Sequence, residues 1–371
     1  MQSRRTCDGY GPAQTARVSR QELAEALKRL SAAGPASRVL TAGVPGSENA
    51  GSSFDFFRFR TAPQAGAFLS SGFWDRRFLQ VAHAEPAIWH AAASLGYLHR
   101  RWEEVALASG RQGTGSEFSK HAMACYGRAL TLGKEIRDPC AMLVLSLALA
   151  TVSNLSGRWA DSRVHFLWAR RLLEQLGHDA ATSSSLDLDD IVDTLTRMDL
   201  ERASFSEASA PYSYPDEPKR SFKSPAYAPI TSLKQAATQL LGIMQRLMAI
   251  WWQGPAIPSP EHPATIEKQL AVVQIGGECT QWEHQLMGYL SATGSGDAEQ
   301  GSTTLLWLKL HHTSLRMLLR YGVSCEQTRF DSCLPHFERI IALSAALLRS
   351  TQSLVSPVMT VDPGLVMSLY L

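Results

Sequence analysis

Along this chain apolar residues recur at helical spacing, and nowhere do they alternate with polar ones long enough to make a strand. After Pro86, a residue suited to a first helical turn, Ile88, Ala92 and Leu95 mark one apolar face. Helical patterns follow at about 116–134, 139–155, 158–176, 187–202, 231–252, 261–292, 302–321 and 327–350. Asp138-Pro139 reads as a cap with a first-turn proline, and Gly177 is expected to close the helix before it. Further upstream, Ser19-Arg20-Gln21-Glu22 fits a capping box, and Leu23, Leu27 and Leu30 follow at i, i+4 and i+7. This predicts one short amphipathic helix, followed over residues 34–53 by a Gly-, Ala-, Ser- and Pro-rich linker.

From Phe54 the texture changes, and Phe54, Phe56, Phe57, Phe59, Phe73 and Trp74 crowd together without a clean period. Residues 203–229 carry five prolines among serines and tyrosines, which predicts a long flexible insert. The pair 139–155 and 158–176 has the look of a tetratricopeptide hairpin, with Ala160, Phe166 and Ala169 at the small and aromatic positions. A steady 34-residue period is missing, so a repeat array does not follow. The expected fold is all-α. About ten helices form an irregular domain over 54–371, behind a segment 1–53 that holds the linker helix.

Composition sharpens this only in places. With 45% hydrophobic and 19% charged residues over 371 positions, the chain can bury a large core. A net charge of +2 advertises no broad nucleic-acid surface. The six cysteines, at 7, 125, 140, 279, 325 and 333, contain no Cys-x-x-Cys pair and read as small buried hydrophobes in a reducing compartment. The longest apolar run, 141–152, is too short for a bilayer, which needs about 20 residues, so a buried helix and no membrane partner are expected.

Candidate chemistry is sparse. No nucleophile elbow, phosphate loop, His-Glu-x-x-His or dinucleotide fingerprint occurs, so an enzyme has no motif behind it and no cofactor is expected. The Gly113-Thr114-Gly115 and Gly294-Ser295-Gly296 pieces lie between helices and read as loops. His311-His312 with Cys325, Cys333 and His336 matches no zinc spacing, because consecutive helical residues point about 100° apart. His83, His90 and His99 read as structural histidines, and Asp187, Asp189, Asp190 and Asp193 as capping and dipole chemistry at a helix start. Trp74, Trp89, Trp251 and Trp252 are the candidates for a ligand pocket, against the plainer reading that they fill the core.

Two sets of residues carry a resemblance. The first is the start, Arg4-Arg5-Thr6-Cys7-Asp8-Gly9-Tyr10-Gly11-Pro12. The second begins with Phe57-Arg58-Phe59-Arg60-Thr61-Ala62-Pro63-Gln64 and runs through Phe73-Trp74-Asp75 and His83-Ala84-Glu85-Pro86-Ala87-Ile88-Trp89 to Leu95-Gly96-Tyr97-Leu98-His99. Later pieces, 305–318, 325–331 and 336–343, keep the same order. Together they resemble the fungal transcription factors of the zinc binuclear cluster (Zn2Cys6) family and their fungal-specific regulatory domain.

The resemblance implies a pathway-specific transcription regulator of a fungal secondary-metabolite cluster, at work in the nucleus. It also implies a homodimer or a partner transcription factor, and a small-molecule effector. The binuclear cluster needs six thiolates and this chain offers only Cys7, as a remnant ligand. Zinc and DNA are therefore expected only if a cluster is completed upstream. Relatives also run on past the phrase around Val361-Asp362-Pro363-Gly364, so the chain reads as a middle piece. The alternatives are a co-regulator without its own DNA grip, paired with an intact factor, or a helical domain reused as an enzyme or ligand-binding protein.

Overall fold

The structure is a computed structural model, and it describes residues 50–66, 68–69, 72–107, 115–179, 189–205, 228–252, 263–293, 298–321, 331–351 and 359. The helix at 19–30, Cys7, most of the insert at 203–229 and the chain end after 359 lie outside these residues. Among the described residues there is no strand, and the fold is all-α.

The crowded aromatics at 54–84, for which the spacing gave no element, are helical. Helix α1 (Ala50–Phe56) starts inside the stretch read as linker, continues through a π-helical turn (Phe57–Thr61) and ends in α2 (Ala62–Ala65). A second π-helical turn (Phe73–Arg77) leads into α3 (Phe78–Ala84). The Ala62 N–H bonds to the Phe57 carbonyl, five residues back. That extra residue per turn shifts the apolar repeat off 3.6 and hides it from a periodicity reading.

Helices α4 (Pro86–Leu107) and α5 (Gly115–Gly133) pack as a pair, and so do α6 (Pro139–Leu155) and α7 (Trp159–Asp179). Asp138 caps α6, its carboxylate accepting from the N–H of Ala141 at 2.9 Å and of Cys140 at 3.4 Å. Gly157, with φ of 70°, ends α6. The N–H of Arg158 reaches the Ser153 carbonyl at 2.8 Å and that of Gly157 reaches Asn154 at 3.0 Å, the paired bonds of a Schellman motif. Gly177 closes nothing, because α7 runs on to Asp179. In the α6–α7 hairpin Phe166 and Ala169 are buried, whereas Ala160 is exposed. The run 141–152 is buried nearly all round, and among the described residues no helix is long and apolar enough to cross a membrane.

Replacing Asp138 by alanine is expected to cost about 1 kcal/mol, since two first-turn N–H groups lose their acceptor. Denaturant midpoints would check this, with Asp138→Asn keeping most of the loss at bay. Equal midpoints for Asp138→Ala and the parent chain would refute the cap.

The first six helices and α7 share one apolar cluster, centred on Phe57, Phe73, Trp74, Phe78, Ile88 and Leu143. The second cluster is built by α9 (Leu233–Trp252), α10 (Pro263–Thr293), α11 (Ala298–Tyr321) and α12 (Leu334–Thr351). Helix α8 (Asp189–Phe205) serves both, giving Ile191, Leu195 and Met198 to the first and Leu200 to the second. Phe68 and Leu69 join the second cluster from the other end of the chain, where the Phe68 carbonyl accepts from Thr304 at 3.0 Å.

Candidate functional site

An opening with a defined set of walls lies where the second π-helical turn faces α8. Phe73 and Trp74 of that turn point inward and are at most 1% exposed. The rest of the turn therefore looks outward, and Arg76, Arg77 and Gln80 line a cleft of about 330 Å³ with Asp190. Asp190 is 3% exposed and is answered by two cations, Lys234 of α9 and Arg76, whose Nη2 lies 3.8 Å away. The backbone fits tightly here. A Cβ on Gly72 would lie 2.7 Å from Arg76 Nη2 and 3.1 Å from Asp190 Oδ2.

With Asp190 already matched by Lys234 and Arg76, Arg77 leaves the cleft with a surplus of positive charge. The walls hold no histidine, cysteine or hydroxyl nucleophile. Such a set suits binding a small anionic or amide-bearing molecule better than making or breaking a bond.

Asp193, one turn on, accepts from Thr238 at 2.9 and 3.1 Å, and burial raises its pKa. Asp199 accepts from Gln245 at 3.1 Å. The acidic residues of α8 were expected to cap their own helix. Asp190 and Asp193 instead reach across to α9, because the helix is wedged between two cores and its polar groups need partners there. Asp187, and the side chain of Asp189, lie outside the described residues.

The histidines are scattered over the fold, with His99, His165, His311 and His312 buried and His83 exposed. His99, fully buried, shares a 2.9 Å hydrogen bond between its Nδ1 and Thr61 Oγ1 and places its Nε2 3.7 Å from Glu103. Arg60 donates to that same carboxylate at 3.0 and 3.1 Å. The phrases 57–64 and 95–99 thus meet in one polar tie, Arg60–Glu103–His99–Thr61. His83 stands edge-on to Phe54 with centroids 5.5 Å apart. Burial first, and Arg128 second, lower the His90 pKa to about 4.

His165 is held against the Tyr126 hydroxyl at 2.8 Å. His311 stacks on Trp307 at 3.9 Å, its Nδ1 3.0 Å from the Trp307 carbonyl. Its neighbour His312 faces Trp282 and Glu283. Among the described residues no three His, Cys, Asp or Glu side chains gather as a metal site would require. Cys125, Cys140, Cys279 and Cys333 are free and buried, and burial pushes the thiols of Cys125 and Cys279 up to about 11 and about 12.

Of the pocket candidates, Trp74 is 1% exposed and packs between Phe73 and Phe78, with centroids 4.8 and 5.2 Å away. Trp89 is half-buried and stacks on Phe54 at 5.2 Å. The structure does not bring these two rings into the cleft. Trp251 and Trp252 end α9, and their side chains lie outside the described residues, as does Cys7. Sequence reasoning missed Arg76, Arg77, Gln80 and Lys234. Two adjacent arginines beside an aromatic pair were a visible signal, but nothing in the spacing joins them to Asp190.

A family model described as "Fungal specific transcription factor domain" matches residues 54–250. No curated protein and no solved structure matches the chain.

Proposed function

The chain belongs to the fungal-specific transcription factor domain family, and from that premise we propose that it is the regulatory part of a pathway-specific transcription regulator of a fungal secondary-metabolite gene cluster. Its transcription-regulator-like role rests on that membership, and the family as a whole acts in the nucleus. The single observation that supports the reading best is the match over residues 54–250, which takes in both π-helical turns and the Arg60–Glu103–His99–Thr61 tie. In this reading the domain senses and transmits. A small-molecule effector reports pathway state, and the surplus positive charge of the Arg76–Arg77–Gln80 cleft supports an anionic one. DNA is contacted through a completed zinc cluster, or through an intact factor to which this chain is paired.

The test joins the whole chain to an unrelated DNA-binding module upstream of a reporter, alongside a transcript profile of a strain lacking the gene. The expected result is a reporter change of roughly tenfold, a size typical of ~1.4 kcal/mol at one equilibrium, and altered transcripts from a block of neighbouring genes. An inert reporter with an unchanged transcript profile would overturn the reading. Turnover of a pathway intermediate by the purified chain would replace it with the enzyme.

A further inference from the structure

Helix α12 is apolar over more of its circumference than the core covers. Its inner side, with Ile340, Ser344 and Leu347 at most 4% exposed, closes the second core against α11. On its outer side Leu334, Ile341 and Leu348 follow each other at seven-residue intervals and are 60%, 61% and 50% exposed. Glu338, Ala342 and Arg349 are also exposed, with Ala345 half-buried between them. At 100° per residue these positions fall within about 120° of arc, with Glu338, Ala342 and Arg349 roughly opposite the buried side and Leu334, Ile341 and Leu348 about 90° from its centre. A soluble helix needs only the apolar stripe that its core covers, and large apolar side chains left exposed beside that stripe mark a contact surface.

The charges on this stripe say what covers it. Glu338 and Arg349 are eleven residues apart, which brings them within about 20° of each other around the helix and about 16 Å apart along it. Two copies of α12 laid antiparallel, about a two-fold axis between residues 343 and 344, place Glu338 of each opposite the other's Arg349. The same register sets Ala342 against Ala345, so small side chains meet at the crossing point and the axes can approach to about 8 Å. Because the axis runs perpendicular to the pair, Leu334, Ile341 and Leu348 of both copies fall on one side and form a shared seam. A parallel arrangement would set Glu338 against Glu338 and Arg349 against Arg349, so the charge pattern selects direction as well as register.

We propose that this face is a self-association surface, through which two copies of the chain pair by antiparallel contact of α12. The inference concerns this surface alone and stands apart from the regulatory reading. About eight residues a side is few beside the 20–30 of a stable interface, so the dimer is weak, with a Kd on the order of 10 µM.

Sedimentation of the full chain between about 1 and 200 µM tests it, a range that brackets that Kd. The expected result is a monomer at the low end and a dimer at the high end. Ile341→Glu abolishes the dimer while leaving helical content unchanged, since the side chain already faces water. Glu338→Arg and Arg349→Glu each weaken pairing at least tenfold, and the double exchange Glu338→Arg with Arg349→Glu restores it. A chain that stays monomeric throughout overturns the proposal, whether because another segment covers α12 or because nothing does. So does a dimer indifferent to Ile341→Glu, or charge exchanges that fail to rescue each other.

Discussion

Replacing Gly96 by alanine is expected to destabilise the folded chain by about 3 kcal/mol, although alanine is the better helix former. Helix α1 crosses α4 at Gly96, and a Cβ there would lie 2.1 Å from the Ser53 carbonyl oxygen and 3.0 Å from its carbon. The obstacle is backbone, so no side-chain rotation relieves it. Ser53, fully buried, is fixed in turn by a 3.1 Å hydrogen bond from its hydroxyl to the Ala93 carbonyl. Arg100 adds bonds to the Ser52 carbonyl and hydroxyl at 3.1 and 3.0 Å. The new methyl must push α1 off the helix it seals, opening the Phe54–Phe57 side of the first core. The sign makes this a sharp test. In an open part of a helix the same change gains roughly 1 kcal/mol. Gly288 of α10 has nothing within 4 Å of its would-be Cβ and serves as that control. Denaturant unfolding of both variants decides, and a Gly96→Ala chain as stable as the parent would mean that α1 does not cross there.

Acid is expected to unfold this protein well before its carboxylates titrate. His165, His311 and His312 are 6%, 0% and 8% exposed, and each is held neutral to about 4 against an ordinary value of 6.5. Burial is the main cause in all three. Arg158 and Arg202 add to it at His165, and Arg316 and Arg339 at His312, where Glu283 opposes them. The Trp307 carbonyl opposes it at His311.

The sign follows from which state takes the proton. Above pH 6.5 these imidazoles are neutral folded or unfolded, and their contribution is complete and flat. Between 6.5 and about 4 the unfolded chain binds protons that the folded chain refuses, so stability falls as pH falls. The limiting slope is about 1.4 kcal/mol per pH unit for each group. With His90, also lowered to about 4, as a fourth, these groups give roughly 5 kcal/mol per unit at the steepest. Asp193, raised by burial, works the other way, but as one group against four. Unfolding midpoints at pH 7, 6 and 5 would show the fall, and His165→Gln, which keeps a partner for Tyr126, should remove about a quarter of it. A flat profile from pH 7 to 5 would show that these rings reach water.

Much of this architecture was legible along the chain. Helices α4 to α12 fall close to where apolar spacing, Asp138-Pro139 and the proline-rich breaks put them. Cysteines without metal spacing proved to be buried and free where they are described. What escaped were α1 to α3 and the cleft. A π-helical turn inserts one residue and breaks the very period on which helix recognition depends. The cleft joins Arg76 to an aspartate more than a hundred positions away, and local pattern carries no information at that range.

The sequence by itself determined that this chain is helical, that its core is rich in aromatics, and to which family it belongs. Periodicity, caps and motif phrases are local properties, written in consecutive residues. Only the tertiary structure decided that Gly96 must lack a side chain, that Asp190 and Asp193 of α8 reach across to α9, and that Arg60 and Thr61 meet His99 and Glu103. It alone also separates the buried side of α12 from the apolar side it leaves in water. These are facts of proximity, set by which faces the packing of helices brings together, and burial and charge act only once that packing is fixed.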